Sequence, residues 1–532
     1  MSPSTSLGRA VATVGGYTLL SRVVGFIRDI VLSAVLGSGA VADAFFVAFK
    51  LPNFFRRLFA EGAFSAAFVP LFARELQGSG REQALAFARQ AHAVLLLALL
   101  PFSVILIAAM PWVLAVIAPG LRGDQTTFDL AVTLGRISFP YLVFISLASL
   151  YGGVLNGIDR FAEVAVTPVL LNLALIGAVL GLTPFLPNSG YAAAIGVAIA
   201  GLLQWLWLLL SCQRDGVGMK LVRPRWTEKV ARLVKLATPV AIGSGAQQVS
   251  VVLDVIWASL MPVGTISALY YADRIAQLPL GVVGIAVGTA LLPLLSRQLR
   301  AGHDDAAMAN QNRAIEFGML FSLPSMVALL LLAQPIIHIL FERGLFTADD
   351  TVRSAAALAA YAYGLPAFVL VKALTPAFFA REDTRTPLYI AVGSIVVNAV
   401  LNTAFMFWTS LDQTGIALAT SISAWLNTLL LAAVLLQRKH WVPDRRLIDR
   451  FLRTVVASLG MGAALWGGLI VLRSALAQGT LAGIAALAGI IVLGGAAYAS
   501  FGMVLGVIRI AELRTALRQR RGITPDVPDA PP

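Results

Sequence analysis

The sequence has little charge, almost no cysteine and few histidines. Of its 532 residues, 13% are charged and 58% are hydrophobic, whereas soluble globular proteins carry about 25% charged residues. The one cysteine, Cys212, excludes an internal disulfide and argues against a cysteine-based metal site. The four histidines are scattered and form no HExxH pair. This composition does not fit a soluble globular protein.

The motifs of two enzyme classes are also missing. No lysine is followed by serine or threonine, as a phosphate-binding P-loop requires, so the chain itself is not an ATP-driven pump. No D-x-D motif occurs, and the longest polar interval, about residues 213–235, is too short for the polar domain of a polyprenyl-phosphate glycosyltransferase. We therefore expect a protein that is not an enzyme and hydrolyses no nucleotide, although a partner could supply energy.

Long apolar runs recur along the whole chain. The mean hydropathy is +0.83, and apolar runs of 20 or more residues are typical of membrane-spanning helices. The sequence predicts an all-α polytopic membrane protein with about fourteen spans. They lie near 11–37, 41–72, 84–117, 129–157, 162–184, 191–212, 236–260, 265–296, 314–341, 354–380, 386–408, 414–437, 454–472 and 481–508. The N-terminus lacks a basic region followed by a cleavage site, so we expect the first span to be retained.

Positive charge is distributed unevenly between the predicted loops. Placing the N-terminus and every second loop in the cytoplasm gives those segments 27 of the 40 Lys and Arg residues, against four in the opposite loops and nine inside spans. This bias predicts that both termini face the cytoplasm. The net charge of +13 therefore reflects topology and attraction to anionic lipids rather than nucleic-acid binding.

An internal repeat divides the chain. FVPLFAREL (68–76) aligns with LLPLLSRQL (291–299), and further collinear matches follow at nearly the same offset, such as Pro140 with Pro366. Six spans per half preserve orientation, so the halves are predicted to be parallel repeats, as in transporters that bind substrate between two lobes. This favours a transporter over a channel or a membrane enzyme.

The repeat predicts five segments. They are an N-lobe of spans 1–6 (1–213), a basic cytoplasmic linker (214–235), a C-lobe of spans 7–12 (236–440), two additional spans (441–509) and a cytoplasmic tail (510–532).

Basic residues concentrate inside the first two predicted spans. A charged side chain at the centre of a membrane helix costs about 2.5–3.5 kcal/mol even by insertion scales, so such residues usually face a bundle interior or a wet cavity. Span 1 contains Arg22 and Arg28, with Asp29 beside the latter; span 2 contains Asp43, Lys50, Arg56, Arg57 and Glu61; span 8 contributes Asp273 and Arg274. Guanidinium groups bind phosphate through paired hydrogen bonds, so these residues could cradle a diphosphate. Alternatively, the charges pair with one another or extend to the membrane interface.

These residues lie in segments that resemble a known family. The run SRVVGFIRD…ADAFFVAFKLPNFFRRLFAEGAFSAAFVPLFAREL (21–76) and the run ALYYADRIAQLPLGVVGIAVGTALLPLLSR (268–297) are similar to the MurJ-type (MviN family) lipid II flippases, within the multidrug/oligosaccharidyl-lipid/polysaccharide exporter superfamily. The resemblance covers essentially the whole chain. It implies two six-helix lobes plus two helices that form a groove for the lipid tail.

The resemblance also implies a function and a site. Such proteins move the undecaprenyl-diphosphate-linked peptidoglycan precursor, lipid II, to the periplasmic leaflet of the bacterial inner membrane by alternating access. It implies a substrate site made of cavity arginines and nearby acidic residues: Arg22, Arg28, Arg56, Arg274, Asp29, Asp43 and Glu61.

A second group of residues could bind a coupling ion. Asp254 lies inside span 7, Asn398 and Asn402 share a face of span 11, and Thr420 lies in span 12. Their oxygens could bind sodium, or they could form a hydrogen-bonded core. The membrane potential is an alternative driver. We expect no other cofactor to be required.

Two other functions and several partners stay open at this point. A flippase for another polyprenyl-diphosphate oligosaccharide would use the same chemistry, and a drug/cation antiporter of the superfamily would share the lobes. The antiporter would favour acidic and aromatic cavity residues and would need only twelve spans. We expect a monomer that contacts membrane lipids, with cell-wall synthesis proteins as candidate partners. Lys372, mid-span beside Pro376, either reaches the cavity or pairs with a carboxylate.

Overall fold

The structure, a computed structural model, covers most of the chain. It describes residues 3–57, 64–478 and 481–507, and the side chains of these residues except those at 3–12, 242–247 and 282–290. Within these ranges every regular element is helical and no strand occurs. The predicted all-α class is confirmed. Glu61 and the predicted tail, 510–532, lie outside the described residues.

The described ranges form nineteen α-helices. They are α1 Pro3–Leu36, α2 Ala40–Phe55, α3 Ser65–Gly78, α4 Arg81–Ala108, α5 Met110–Ile117, α6 Gln125–Ser138, α7 Tyr141–Gly157, α8 Phe161–Ala165, α9 Thr167–Leu182, α10 Ser189–Arg214, α11 Glu228–Ser259, α12 Thr265–Arg300, α13 Asp304–Phe341, α14 Ala348–Phe379, α15 Arg385–Trp408, α16 Asp412–Gln437, α17 Arg445–Val471, α18 Arg473–Leu476 and α19 Leu481–Val504. Hydrocarbon offers no hydrogen-bond partners to backbone N–H and C=O groups, and an α-helix satisfies these groups within itself.

Among the described residues, ten helical segments are long and apolar enough to cross a membrane. They are α4, α6 with α7, α8 with α9, α10, α13, α14, α15, α16, α17 and α19. Predicted spans 1, 2, 7 and 8 correspond to α1, α2 with α3, α11 and α12, which are outside these ten. The polytopic class is confirmed, and the count of fourteen stays a prediction.

Several predicted spans are broken into two helices. The predicted span 41–72 contains α2, which ends at Phe55, and α3, which begins at Ser65, and residues 58–63 between them lie outside the described part of the chain. The span 129–157 breaks between α6 and α7 at Pro140. Proline has no backbone N–H and clashes with the preceding turn, so a break beside it is expected.

The predicted linker, 214–235, is shorter in the structure. Helix α11 begins at Glu228, and the Thr227 hydroxyl caps it by accepting from the Val230 backbone N–H at 3.3 Å. Such a cap satisfies one of the free N–H groups of the first turn, which explains the early start. The remaining linker packs on the first half of the chain, where the Arg225 backbone N–H donates to Gln90 Oε1 at 3.0 Å.

The chain folds into two compact units. Unit 1 comprises 1–271 together with 340–353 and 405–416, and unit 2 comprises 272–339, 354–404 and 417–532. The core of unit 1 includes the fully buried Phe68 and Tyr151, and that of unit 2 includes Ala373, Phe378 and Leu435. The predicted lobe boundaries, which rest on the repeat, stay a prediction.

In unit 1 the turn between α1 and α2 meets the loop 342–347 through backbone atoms. The Leu345 N–H donates to Ala34 O at 2.8 Å. Gly37 (φ +68°) and Gly344 (φ +61°) have left-handed backbones, and a Cβ on either would lie within 2.7 Å of a carbonyl oxygen of the facing segment. Only glycine allows this conformation and this approach.

Candidate functional site

Arg28 of α1 lies in a buried hydrogen-bond network in unit 1. Arg28 and Asp29 are 9% and 4% exposed. Arg28 Nε and Nη2 donate to Asp29 Oδ1 at 3.0 and 2.6 Å, and Nη1 donates to Asn172 Oδ1 of α9 at 2.9 Å. Tyr270 of α12 donates its hydroxyl to the same Asp29 oxygen at 3.2 Å. We call these four residues the Arg28 network.

The Arg28 network is electrically balanced. One guanidinium faces one carboxylate, and the other two members are neutral. Removing one partner of a buried ion pair typically costs about 3–5 kcal/mol, because the remaining charge stays buried. Asn172 is itself held in place, since its Nδ2 donates to Ser21 O at 3.0 Å. The predicted site residues Arg28 and Asp29 are thus brought together, with the carboxylate as the counter-charge.

Asp43, another predicted site residue, caps a helix. It is 3% exposed. Its Oδ2 accepts from the Gly264 backbone N–H at 2.7 Å, and its Oδ1 accepts from the backbone N–H and the hydroxyl of Ser267 at 2.8 and 2.7 Å. Gly264 precedes α12, so this carboxylate satisfies N–H groups at the start of that helix, where negative charge is favoured. Asp43 therefore joins α2 to α12 in this conformation.

The other predicted arginines of unit 1 are more accessible. Arg22 is exposed. It makes no ion pair or side-chain hydrogen bond that the structure shows with another described residue. Arg56, at the end of α2, is partly buried and donates from Nε to Asn53 Oδ1 at 3.1 Å. Arg57 is exposed, and Lys50 is half-buried. Glu61, the remaining predicted acidic member, lies outside the described residues.

Arg274 lies in unit 2, early in α12. Its side chain is 33% exposed, and Nη2 lies 3.6 Å from Asp273 Oδ2. Asp273 in turn accepts a hydrogen bond from Gln277 Nε2. Lys372 of α14 is exposed. As with Arg28, the neighbouring residue in the sequence supplies the carboxylate that faces the arginine.

Three of the four residues predicted to bind sodium lie together in unit 2. Asn402 Nδ2 donates to Asn398 Oδ1 at 3.1 Å, and Asn398 Nδ2 lies 3.5 Å from Thr420 Oγ1. Asn402 Oδ1 is buried and has no hydrogen-bond partner among the described residues. The fourth, Asp254, is half-buried in α11 of unit 1. No group of three His, Cys, Asp or Glu side chains suited to a metal occurs in the described part of the chain.

Comparison with known proteins gives a consistent family. The family model described as "Lipid II flippase MurJ" matches residues 32–487. The chain is 46% identical to a probable lipid II flippase MurJ of Rhizobium meliloti (strain 1021) over 466 residues, 87% of this chain and 86% of the relative. It is 41% identical to a probable lipid II flippase MurJ of Rhizobium tropici over 528 residues, 97% of both chains.

The chain belongs to the MurJ family. A solved structure described as "Lipid II flippase MurJ, inward closed conformation" also matches, with a TM-score of 0.75 and 27% identity, over 92% of this chain and 98% of that one. The resemblance inferred from the sequence is therefore confirmed, and with ten apolar helices the chain is a multi-pass membrane protein. The family is one of transporters, as the absence of nucleotide-binding and glycosyltransferase motifs led us to expect.

MurJ family membership does not assign roles to single residues. Three residues that contact the predicted site residues were not identified from the sequence. Asn172, Ser267 and Tyr270 hold Arg28, Asp29 and Asp43. Asn172 is a lone amide within the apolar sequence of α9, which could have marked it as a polar partner. Tyr270 lies in the segment that carries the family resemblance, but tyrosine is common in membrane helices. Only its position in the fold identifies its partner.

Outside the predicted spans, the carboxylate of Asp383 is paired with one arginine, Arg438. Asp383, between α14 and α15, accepts from the Thr386 backbone N–H at 3.0 Å and from Arg438 Nη1 at 2.6 Å. Hydrogen bonds from Thr386 chiefly, and then from Arg438, lower the pKa of Asp383 to about 2. This carboxylate stays ionised at neutral pH and holds the α14–α15 turn against the end of α16.

Proposed function

We propose that this chain moves lipid II, the undecaprenyl-diphosphate-linked peptidoglycan precursor, from the cytoplasmic to the periplasmic leaflet of the bacterial inner membrane. The observation that carries the proposal is the family match over residues 32–487. It is supported by relatives named probable lipid II flippases, which the chain matches over 86% and 97% of their length. The substrate has a diphosphate, which cannot cross hydrocarbon unaided. A protein of this kind must therefore replace the water around that group.

Arginines provide the groups that hold the diphosphate in this proposal. Arg22 is exposed, and Arg56 is partly buried and donates to Asn53 Oδ1; in this proposal both turn toward the anionic headgroup. Arg28 already uses three nitrogens on Asp29 and Asn172. A diphosphate oxygen that replaced Asn172 or Tyr270 would meet a guanidinium in a water-poor setting, where charge-assisted hydrogen bonds are strong. Arg274 contributes a further guanidinium, held near Asp273.

Alternating access requires one side of the transporter to close while the other opens. Both short stretches that unit 1 takes from the second half of the chain, 340–353 and 405–416, lie at helix ends that the positive-inside rule places on the periplasmic side. There Asp43 caps α12, and Ser38 Oγ lies 3.0 Å from Ser267 Oγ. These contacts support a conformation closed toward the periplasm, which must open to release the substrate.

The closure can be tested with a cross-link. In a Cys212→Ser background, Ser38→Cys with Ser267→Cys should form a disulfide, since the two hydroxyl oxygens are already adjacent. We expect oxidation to abolish flipping and reduction to restore it. Either single cysteine variant is the control. Full transport by the oxidised double variant would contradict periplasmic closure as a step of the cycle.

Sodium is the coupling ion that the unit 2 residues fit best. Hard cations take oxygen ligands, and the buried Asn402 Oδ1 lacks a hydrogen-bond donor among the described residues. Asn398 and Thr420 of unit 2 would supply further oxygens, and Asp254, the fourth residue of the sequence prediction, belongs to unit 1. We expect sodium, but not potassium, to raise the unfolding temperature of the purified protein, and Asn402→Leu to remove the effect. If neither ion acts on the wild type, the membrane potential becomes the favoured driver.

Complementation tests the proposed activity directly. The gene should restore growth to a strain depleted of its own lipid II flippase, and lipid II should become accessible at the periplasmic face of the same cells. A chain that inserts normally but leaves lipid II inaccessible would overturn the proposal. Movement of a different polyprenyl-diphosphate oligosaccharide instead would assign the alternative substrate. We expect the monomer to suffice, so cell-wall synthesis proteins would modulate the activity rather than supply it.

A further inference from the structure

Unit 1 contains a cavity whose lining residues are distant in sequence from the arginines of α1 and α2. It has a volume of about 580 Å³ and lies between α4, α7, α10 and the segment that follows α10. Ligand cavities in proteins usually measure about 300–1,000 Å³. Its lining is mostly apolar and aromatic, and includes Phe144 and Trp205, whose rings lie 5.8 Å apart. The size and lining suit a hydrocarbon chain.

The cavity opens at the outer surface of the helices. Leu100 of α4 and Leu221 of the linker both line it, and they are 50% and 74% exposed. Helix α4 is one of the ten described segments that are long and apolar enough to cross a membrane. The medium beside Leu100 is therefore lipid, whereas Leu221 belongs to a linker that the charge distribution places in the cytoplasm. The opening lies where the cytoplasmic leaflet meets water.

Two residues that line this cavity, His92 and Trp205, have buried side-chain nitrogens without a hydrogen-bond partner among the described residues. His92 of α4 lines it and is 5% exposed, and neither ring nitrogen has a hydrogen-bond partner among the described residues. Its ring packs edge-on against Tyr151 at 5.6 Å, which fixes its orientation. Buried polar groups are nearly always hydrogen-bonded, so an unsatisfied one indicates a missing partner. A ligand with a carbonyl oxygen at this depth would satisfy the imidazole N–H.

The depth of His92 can be related to the linker. Gln90, two residues earlier on α4, accepts a hydrogen bond from the backbone of Arg225. With a helix rise of about 1.5 Å per residue, His92 lies only about 3 Å further along α4 than this linker contact. The unsatisfied imidazole is therefore near the interface, where the ester carbonyls of phospholipids lie, while Leu96 and Leu100 continue toward the hydrocarbon.

Basic residues lie next to the lining residues of this cavity in the sequence. Lys220 lies between the lining residues Met219 and Leu221, Arg214 follows the lining residue Gln213, and Arg223 is two residues beyond Leu221. All three cations are exposed. Basic residues at the cytoplasmic surface of a membrane attract anionic headgroups. The cavity therefore suits a ligand with a negative headgroup at the surface, a carbonyl oxygen near His92 and a hydrocarbon chain further into the membrane.

We propose that this cavity binds an anionic phospholipid of the cytoplasmic leaflet. One acyl chain lies along α4 and α7 past Leu96 and Leu100, an ester carbonyl accepts from His92, and the headgroup lies among Arg214, Lys220 and Arg223. The bound lipid packs the linker onto unit 1. The site is separate from the arginines of the proposed diphosphate site, so it holds or fails independently of the proposed function.

Lipid retention by the purified chain tests the site. Native mass spectrometry in detergent would compare dioleoyl phosphatidylglycerol with dioleoyl phosphatidylcholine, and thermal unfolding would be followed with each. We expect phosphatidylglycerol to be retained and to raise the unfolding temperature, and phosphatidylcholine to do neither. Equal retention of the two lipids, or of neither, would overturn the proposal.

Two variants with matched controls locate the lipid. Leu100→Trp fills the cavity, while Leu97→Trp adds the same bulk on an exposed position of the same helix. Lys220→Gln with Arg223→Gln removes two of the basic charges, while Lys439→Gln with Arg445→Gln removes two exposed charges elsewhere on the predicted cytoplasmic side. We expect retention to fall about thirtyfold in the variant without Lys220 and Arg223 and to be lost in Leu100→Trp, with both controls unchanged.

His92→Phe keeps the ring and removes its nitrogens. We expect it to weaken phosphatidylglycerol binding about threefold to tenfold, and to leave the lipid-free unfolding temperature unchanged or higher. Because this variant does not disturb packing, it remains informative if Leu100→Trp fails to fold. Unchanged binding in His92→Phe, or equal effects of a variant and its control, would overturn the assignment.

Discussion

The Arg28 network of unit 1 and a cluster around Glu316 in unit 2 both bury guanidinium groups, but they place the counter-charge differently. In the Arg28 network the carboxylate is Asp29, the next residue of the same helix. In unit 2, Glu316 of α13 is paired with Arg446 and Arg450 of α17 and with Arg313. The ion pairs of Glu316 with Arg446 and Arg450 therefore cross between helices, whereas that of Arg28 with Asp29 does not.

This difference decides what each cluster permits. If α17 moved away from α13, buried charges would separate at high cost. The described bonds of Arg28 to other helices are made to Asn172 and Tyr270, which are neutral. Those bonds can break while Arg28 keeps its counter-charge. The Glu316 cluster is suited to a permanent connection, and the Arg28 network to one that changes during transport.

Removing the central carboxylate of unit 2 should have the largest effect. Glu316→Ala leaves the surrounding arginines without their shared partner, and we expect the free energy of unfolding to fall by about 3–5 kcal/mol. Thermal unfolding of the purified protein measures this loss. The control is Asp449→Asn, which changes an exposed carboxylate of α17, the helix that contains Arg446 and Arg450. A stability loss no greater than that of the control would show that the cluster is not a structural connection.

Arg28→Lys sharpens the functional half of the comparison. Lysine keeps the positive charge but cannot donate to Asp29 and Asn172 in the planar geometry of a guanidinium. We expect lipid II translocation to fall at least tenfold, which corresponds to about 1.4 kcal/mol, with normal insertion. Arg446→Lys in the other cluster should transport normally. Equal transport by the two variants would remove the distinction between the clusters.

Tyr270→Phe tests whether the neutral bonds of the Arg28 network hold the closed conformation. The hydroxyl donates to Asp29 at 3.2 Å, and its loss should reduce stability by about 1 kcal/mol. Because the closed form loses a bond, the Ser38–Ser267 cysteine pair should cross-link more slowly in this variant. Asn310→Ala, which removes an exposed amide of α13, is the control. An unchanged cross-linking rate would mean that Tyr270 does not control closure.

Asp383→Asn should have the smallest effect, because its ion pair with Arg438 is half-exposed. Exposed pairs contribute about 0.2–1 kcal/mol. Since the folded pKa of about 2 is below the unfolded value of about 3.9, the contribution is complete above pH 4 and is lost as pH falls toward 2. Unfolding temperatures of wild type and variant should therefore differ at pH 7 and converge below pH 4. A gap that widens on acidification would contradict this pairing.

Much of the fold follows from the sequence because a membrane imposes simple rules. Apolar length predicts where helices lie, and ten of the predicted intervals coincide with described helical segments that are long and apolar enough to cross a membrane. The break at Pro140 follows from the missing proline N–H. The early start of α11 was not predicted, since a single capping residue, Thr227, extends a helix that apolar length would begin at residue 236. The site was predicted only in part. The positions of Arg28 and Asp43 follow from their cost in a membrane, but their partners Asn172, Ser267 and Tyr270 are ordinary residues.

The sequence by itself determined the class, the family and the arginines, because an intramembrane charge and a long shared motif are both local properties of the chain. The tertiary structure decided how those charges are balanced. Asp43 caps a helix, Arg28 has neutral partners on α9 and α12, and His92 faces a cavity without a hydrogen-bond partner among the described residues. These outcomes depend on which residues distant in sequence come within about 3 Å of each other. The separation of two residues along the chain does not determine that distance.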